Sequence, residues 1–253
     1  MLNITPVPAL RDNYIWTLHD DQTAVVVDPG EVAPVQDFLI RHGLTLAAIL
    51  CTHRHYDHIG GIAGLRELYN VPVYGQPHAD NPHITEAVGE GAQFSLLQHE
   101  FKVLAVPGHL DDHVAYVLDG RHVFCGDVLF GAGCGRNFEG SVAALHTSLQ
   151  RLAALPDDTL LYPAHEYTLL NLPFAARCEP DNAAIRARIA DAQQCARDDR
   201  PTLPSTLALE KATNPFLRCE VPQVIATLRR ERGLLADDAL SVFTALRAWR
   251  DVG

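Results

Sequence analysis

Six consecutive residues limit what this chain can fold into. His53, His55, Asp57 and His58 fall within the run Thr52-His53-Arg54-His55-Tyr56-Asp57-His58, directly after the apolar segment Ala47-Ala48-Ile49-Leu50-Cys51. The apolar segment reads as a buried strand, so the strand must deliver imidazoles and a carboxylate at its end. Neutral imidazole nitrogens and carboxylate oxygens are ligands for zinc, iron(II) or manganese(II). In such a loop alternate side chains turn toward one point. His53 and His55 are then placed to share one ion, and Asp57 and His58 to face another. A lone surface histidine would carry no such meaning; four ligand-type residues at this spacing do.

Three further pieces repeat the pattern. Pro107-Gly108-His109 stops the apolar run 101–106, Gly126-Asp127 follows the run 122–125, and Ala164-His165-Glu166 follows Leu160-Leu161-Tyr162. Ligands carried at strand ends sit on a rigid frame. Seven such side chains suffice for two ions, and an Asp, with two oxygens, can bridge them. Paired metals roughly 3.5–4 Å apart are a recurrent hydrolytic arrangement.

Between the strands lie helical patterns over 32–42, 61–69 and 142–155, while Val114–Leu118 and His122–Cys125 read as a strand pair turned at Asp119-Gly120. The last 85 residues differ. Asn182–Arg197 has apolar residues at helical spacing, Pro222–Arg232 stops at Gly233, and Asp237–Trp249 opens with acidic residues. No strand pattern is expected there. The chain therefore reads as α/β or α+β, with a division near residue 169: a first domain over 1–168 and a helical one over 169–253.

Charge separates the same two parts. The net charge is −11; residues 1–168 hold 8 Lys+Arg and 20 Asp+Glu, and residues 169–253 hold 12 and 11. A basic footprint for nucleic acid is missing, and an anionic substrate would be met by the second segment. No apolar stretch is long enough to span a membrane. Met1–Leu10 lacks the basic cluster and apolar run of a signal peptide. Six cysteines without a CxxC pair fit reduced thiols, so a cytoplasmic protein is expected. Cys125 and Cys134 read as inert buried thiols, Trp16 and Trp249 as core, and His113 as a support to a ligand rather than a ligand.

The pattern THxHxDH, followed by a later His, Asp and His, resembles the metallo-β-lactamase superfamily. Asp12-Asn13-Tyr14, Val27-Asp28-Pro29-Gly30, Gly133-Cys134-Gly135-Arg136, Phe138-Glu139-Gly140, Ala164-His165-Glu166-Tyr167-Thr168, Asn214-Pro215-Phe216-Leu217-Arg218 and Arg229-Arg230-Glu231-Arg232 extend the likeness to the glyoxalase II (hydroxyacylglutathione hydrolase) family, nearly end to end. The resemblance implies an α+β fold, an αββα metallo-β-lactamase-type sandwich with a C-terminal α-helical domain. It implies two divalent metal ions, zinc foremost with iron or manganese as alternatives. His53, His55 and His109 would hold the first, Asp57, His58 and His165 the second, and Asp127 would bridge them.

The implied reaction is hydrolysis of the thioester S-D-lactoylglutathione to D-lactate and glutathione by hydroxide formed at the metal pair, with Asp57 and Asp127 as catalytic residues. Arg229 and Arg232, three apart on a helix, would grip the glycyl carboxylate. Arg136, Phe138 and Tyr167 match further substrate-side positions; Phe138 stands where relatives carry Tyr. The expected partner is a small glutathione thioester, with no nucleic acid, no membrane and a monomeric chain. Other readings are a lactonase, a phosphodiesterase, a one-iron dioxygenase of the superfamily, or a non-catalytic metal-binding relative. Two departures stand out. His109-Leu110-Asp111-Asp112-His113 replaces the usual His-Thr-x-Gly-His, with extra negative charge that would raise metal affinity, and Arg54 stands where a His is frequent and is expected to matter little.

Overall fold

The structure, a computed structural model, describes residues 2–252. By internal packing the chain divides into two compact units, Met1–Val106 with Asp112–Gly126, and Pro107–Asp111 with Asp127–Gly253.

The first unit is built on strands. β1 (Asn3–Ala9), β2 (Asn13–His19), β3 (Thr23–Val27), β4 (Thr45–Leu50), β5 (Val73–Gly75) and β6 (Glu86–Ala87) form one sheet in that order, antiparallel from β1 to β3 and parallel from β3 onward. The change of sense follows from the crossovers: α1 (Val32–His42) separates β3 from β4, and α2 (Tyr56–Ile59) with α3 (Ile62–Tyr69) separates β4 from β5. α1 ends where expected, at Gly43, whose φ of 67° closes the last turn. Ala24, Val26 and Ile49 pack with Val35, Phe38 and Leu39 of α1 and Ile62 and Leu65 of α3. Val25, Val27, Ala48 and Leu50, on the other face, are equally buried, so both faces of the central strands are covered and the runs read as continuously apolar. β1 is one of the two edge strands of this sheet, and it carries Pro6 and Pro8 opposite Trp16 and Tyr14.

β7 (Gln93–Leu96), β8 (His99–Ala105), β9 (Val114–Leu118) and β10 (His122–Gly126) form an antiparallel meander. Asp119 and Gly120, both at positive φ, make the tight turn the sequence suggested. Tyr116 of β9 donates its hydroxyl to the carbonyls of Cys51 (2.8 Å) and Tyr74 (3.0 Å), at the carboxyl ends of β4 and β5. Burial pushes this phenol well above its usual range, so it stays a neutral donor. Thr52 O accepts from Val114 N–H at 2.9 Å. The start of the histidine loop is thus fastened from β9.

The second unit contains the hairpin β11 (Leu129–Phe130) and β12 (Gly133–Cys134), the helix α4 (Val142–Ala153), and β13 (Leu160–Pro163) paired with β14 (Ser205–Thr206). The helices α5 (Thr168–Cys178), α6 (Ala183–Arg197), α7 (Leu207–Thr213), α8 (Pro222–Arg232) and α9 (Ala239–Asp251) follow, with a 3-10 turn at Pro215–Leu217. Ser141, Asn182 and Asp238 cap α4, α6 and α9 through their side chains. Gly233, at φ 65°, ends α8. β14 corrects the expectation of a strandless C-terminal segment: two residues complete a pairing that their own sequence cannot announce. Phe174, Phe216, Phe243 and Trp249 form an aromatic core with centroid spacings of 5.3–6.0 Å. Buried Glu210 pairs with Arg188 and accepts from Ser205 Oγ (2.7 Å) and Ala132 N–H (2.9 Å). Asn214 donates to the carbonyls of Phe130 and Gly133. This network holds the β11–β12 hairpin, which continues directly from Asp127.

Candidate metal centre

In the first unit β4 delivers His53, His55, Asp57 and His58 to one place. His53 Nε2 faces His55 Nδ1 at 3.1 Å, and His58 Nε2 faces Asp57 Oδ2 at 3.4 Å. His53 and His58 are buried. Their orientation is set by a residue the sequence reading left without a role. Asp28, held at a φ of 53° just after β3, accepts Thr52 N–H (2.7 Å), Thr52 Oγ–H (2.6 Å) and His58 Nδ1–H (3.0 Å). Because Thr52 gives its proton to Asp28, its oxygen accepts from His53 Nδ1 at 3.0 Å. One carboxylate thereby fixes the tautomer of two imidazoles and leaves each Nε2 with its lone pair. Asn13 does the same for Asp57, donating to Oδ2 at 3.1 Å. His113 is fully buried and stacks on His53, centroids 4.6 Å apart and 15° off parallel.

The second unit brings together His109, Asp127 and His165. Asp127 Oδ2 lies 3.6 Å from His109 Nε2, and Asp127 Oδ1 lies 3.4 Å from His165 Nε2, so its two oxygens address two different imidazoles. His109 Nδ1 donates to the Arg136 carbonyl (2.9 Å), which leaves Nε2 free of a proton. The backbone passes so closely here that only Gly135 fits: a Cβ would stand 1.9 Å from the Asp127 carbonyl oxygen. Phe138 sets its ring edge-on to His109 (5.2 Å) and is 60% exposed. Tyr167 stacks on His165 at 4.7 Å. Arg136 faces Asp251 at 3.3 Å. Arg229 and Arg232 lie exposed in the last turn of α8, Arg229 with Asp237 at 2.6 Å.

These donors fit metal ions. Ligand atoms arranged tetrahedrally at 2.0–2.1 Å from an ion stand roughly 3.3–3.4 Å apart, close to the 3.1–3.6 Å separations within each unit. Buried nitrogens with lone pairs converging on carboxylate oxygens make a set compatible with binding two metal ions.

The two departures from the family pattern meet each other. Arg54 pairs with Asp112, so Asp112 brings no uncompensated negative charge to the site. The added negative charge of this stretch is thereby partly offset, and Arg54, which is not among the ligand-type residues, has a defined partner.

All six cysteines are free and buried. Burial raises the Cys134 thiol to about 11 and the Cys219 thiol to about 12, and lifts Cys51 well above its ordinary value with Asp28 adding to the effect. Thiols in this state are poor nucleophiles. Native protein near neutral pH is expected to resist a thiol-specific reagent over the minutes in which denatured protein reacts completely; rapid labelling of the native chain would contradict this.

Residues 10–165 match the metallo-beta-lactamase superfamily, and residues 166–253 match the hydroxyacylglutathione hydrolase C-terminus. A hydroxyacylglutathione hydrolase from Chromohalobacter salexigens is 48% identical, over 99% of each chain. The chain belongs to the hydroxyacylglutathione hydrolase family. Among solved structures, ETHE1 from Myxococcus xanthus is similar with a TM-score of 0.65 and 27% identity, over 98% of this chain and 99% of that one. TTHA1623, solved in a di-iron-bound form, has a TM-score of 0.60 and 28% identity over 84% of this chain and 100% of that chain. The α+β fold of residues 10–165 is that of the metallo-beta-lactamase superfamily, and the C-terminal helical region is that of the hydroxyacylglutathione hydrolases.

Proposed function

We propose that this chain hydrolyses the thioester of S-D-lactoylglutathione, and related 2-hydroxyacylglutathiones, to the hydroxy acid and glutathione. The observation that carries the reading is the match of the whole C-terminal region, 166–253, to the hydroxyacylglutathione hydrolase C-terminus, on a chain whose first part supplies a full set of ligand-type residues. We assign His53, His55 and His109 to one ion, Asp57, His58 and His165 to the other, and Asp127 to both. Zinc is the metal we favour; the same nitrogen and oxygen donors also suit iron(II) and manganese(II).

Two bound divalent ions supply Lewis acidity, which brings the pKa of water toward neutrality and draws electron density from an acyl oxygen. The chain's residues do the rest. Asp57, held by Asn13, accepts a hydrogen bond from the attacking water and aims its lone pair. Asp127, with an oxygen toward each of two histidines, keeps the donor sets in register. The water gives up a proton, to Asp57 or to solvent, as its oxygen adds to the thioester carbonyl; the C–S bond then breaks, and glutathione leaves as a thiolate that needs little general-acid help. Arg229, Arg232 and Arg136 bind the carboxylates of the tripeptide, with Tyr167 and Phe138 beside it. Arg229 and Arg136 already face Asp237 and Asp251, and a guanidinium with five N–H donors can serve a second acceptor. We read residues 169–253 as the substrate-recognition domain and 1–168 as the catalytic one.

We place the chain in the cytoplasm as a monomer; six free buried cysteines fit a reducing compartment. Among the described residues no helix is long and apolar enough to cross a membrane. The decisive experiment follows S-D-lactoylglutathione hydrolysis alongside metal analysis of the same preparation: turnover with about two metals per chain is expected, and two metals without turnover would discard the glutathione assignment. Replacing Arg229 and Arg232 together with Ala is expected to raise KM about tenfold or more, as loss of charge-assisted hydrogen bonds would, with metal content unchanged. An unaltered KM removes both from the substrate site.

A further inference from the structure

We propose that the Arg54–Asp112 ion pair is a positioning device for the metal ligands, a strut that holds the His53–His55 loop to the base of the segment bearing His109. This rests on the ligand assignment above. Arg54 stands between two ligand histidines, yet its guanidinium does not reach into solvent. It meets Asp112, and the two side chains are only 11% and 8% exposed; Nε also faces Asp80 at 3.7 Å. With Arg54 drawn to that side, its sequence neighbours His53 and His55 turn together, ring nitrogen to ring nitrogen at 3.1 Å.

Asp112 is also where the chain re-enters the first unit after the excursion 107–111 that carries His109. The base of that excursion is closed by Val106 N–H donating to the His113 carbonyl at 2.9 Å. The two residues at the return therefore act as a couple: Asp112 holds Arg54, and the His113 ring stacks on His53. A pair this buried is a poor source of net stability, because desolvation offsets most of its attraction, while loss of one partner strands a charge. Its value here is geometric. The fork of the guanidinium fixes direction, which an apolar contact of equal volume would not.

The pair separates from a merely structural contact in metal release from the holoenzyme to a chromophoric chelator, read with kcat and KM on the same samples. R54M leaves Asp112 buried without Arg54, and D112L leaves Arg54 only the more distant Asp80; each is expected to lose metal about tenfold faster or more, the usual scale for residues that orient ligands. R54M/D112L replaces the pair by apolar groups. It is expected to recover the thermal stability lost in the single variants but not the metal retention, and to lower kcat with little change in KM. R54Q/D112N, which keeps a directed hydrogen bond without charge, is expected to retain metal within about threefold of wild type. An R54M/D112L protein that holds metal as tightly as wild type would overturn the proposal. Wild-type protein that takes up no metal would overturn the ligand assignment itself, and this role with it; an inactive protein that binds two metals would discard only the thioester reading.

Discussion

Asp127→Ala is expected to lower kcat/KM for the glutathione thioester by about three orders of magnitude or more. Metal ions at such sites contribute several kcal/mol of charge stabilisation, each 1.36 kcal/mol being tenfold in rate. The two oxygens of Asp127 address separate histidines, Oδ2 toward His109 and Oδ1 toward His165. If Asp127 serves both ions as proposed, its loss removes an anionic donor from each, and metal content should drop together with turnover. The check is a metal count by atomic absorption beside steady-state kinetics. Full metal content with near wild-type kcat would show that Asp127 serves neither ion.

The second large effect is expected at Asp28, which touches no substrate. Asp28→Ala removes the acceptor of Thr52 N–H, Thr52 Oγ–H and His58 Nδ1–H. Stranding these buried donors should cost about 2–5 kcal/mol of folding stability, and freeing two imidazoles should weaken metal binding about 10–100-fold. Asp28→Asn sharpens the test. The amide is nearly isosteric, but its NH2 turned toward His58 Nδ1 would favour the tautomer that carries the proton on Nε2, where a ligand lone pair is needed. The Asn variant should therefore approach the Ala variant in metal loss while keeping more of the stability. Metal titration with urea unfolding of both variants decides it; an Asn variant with wild-type metal affinity would mean that Asp28 acts through packing alone.

Legibility varied with the kind of signal. α1 and α8 begin and end as read, because Gly43 and Gly233 supply left-handed caps that few other residues tolerate. α6 starts at its reading because Asn182 is a strong cap. α5 escaped notice: Pro173 lies inside it and looks like a stop, although tertiary packing carries the helix through. α2, four residues within the histidine loop, and two-residue strands such as β6, β11, β12 and β14 are too short to leave a periodicity. At the site the ligand-type residues were legible by type and spacing. Asp28 was not, since a strand-turn acid looks like any other; its role appears only when 24 residues of separation close onto Thr52. Arg54 and Asp112 each looked like an isolated oddity, and 58 residues of separation hid that they are one feature.

The two prolines on β1 bear on how the molecule behaves in a crowd. Pro6 and Pro8 stand two residues apart on the outermost strand of their sheet, hence on the same side of its backbone, and neither has an N–H to offer. An incoming strand would find missing donors along the margin where it must zip. An open sheet margin ordinarily invites self-association, and residues that cannot donate are a common defence against it. That margin is therefore ill suited to template fibres or strand-exchanged pairs.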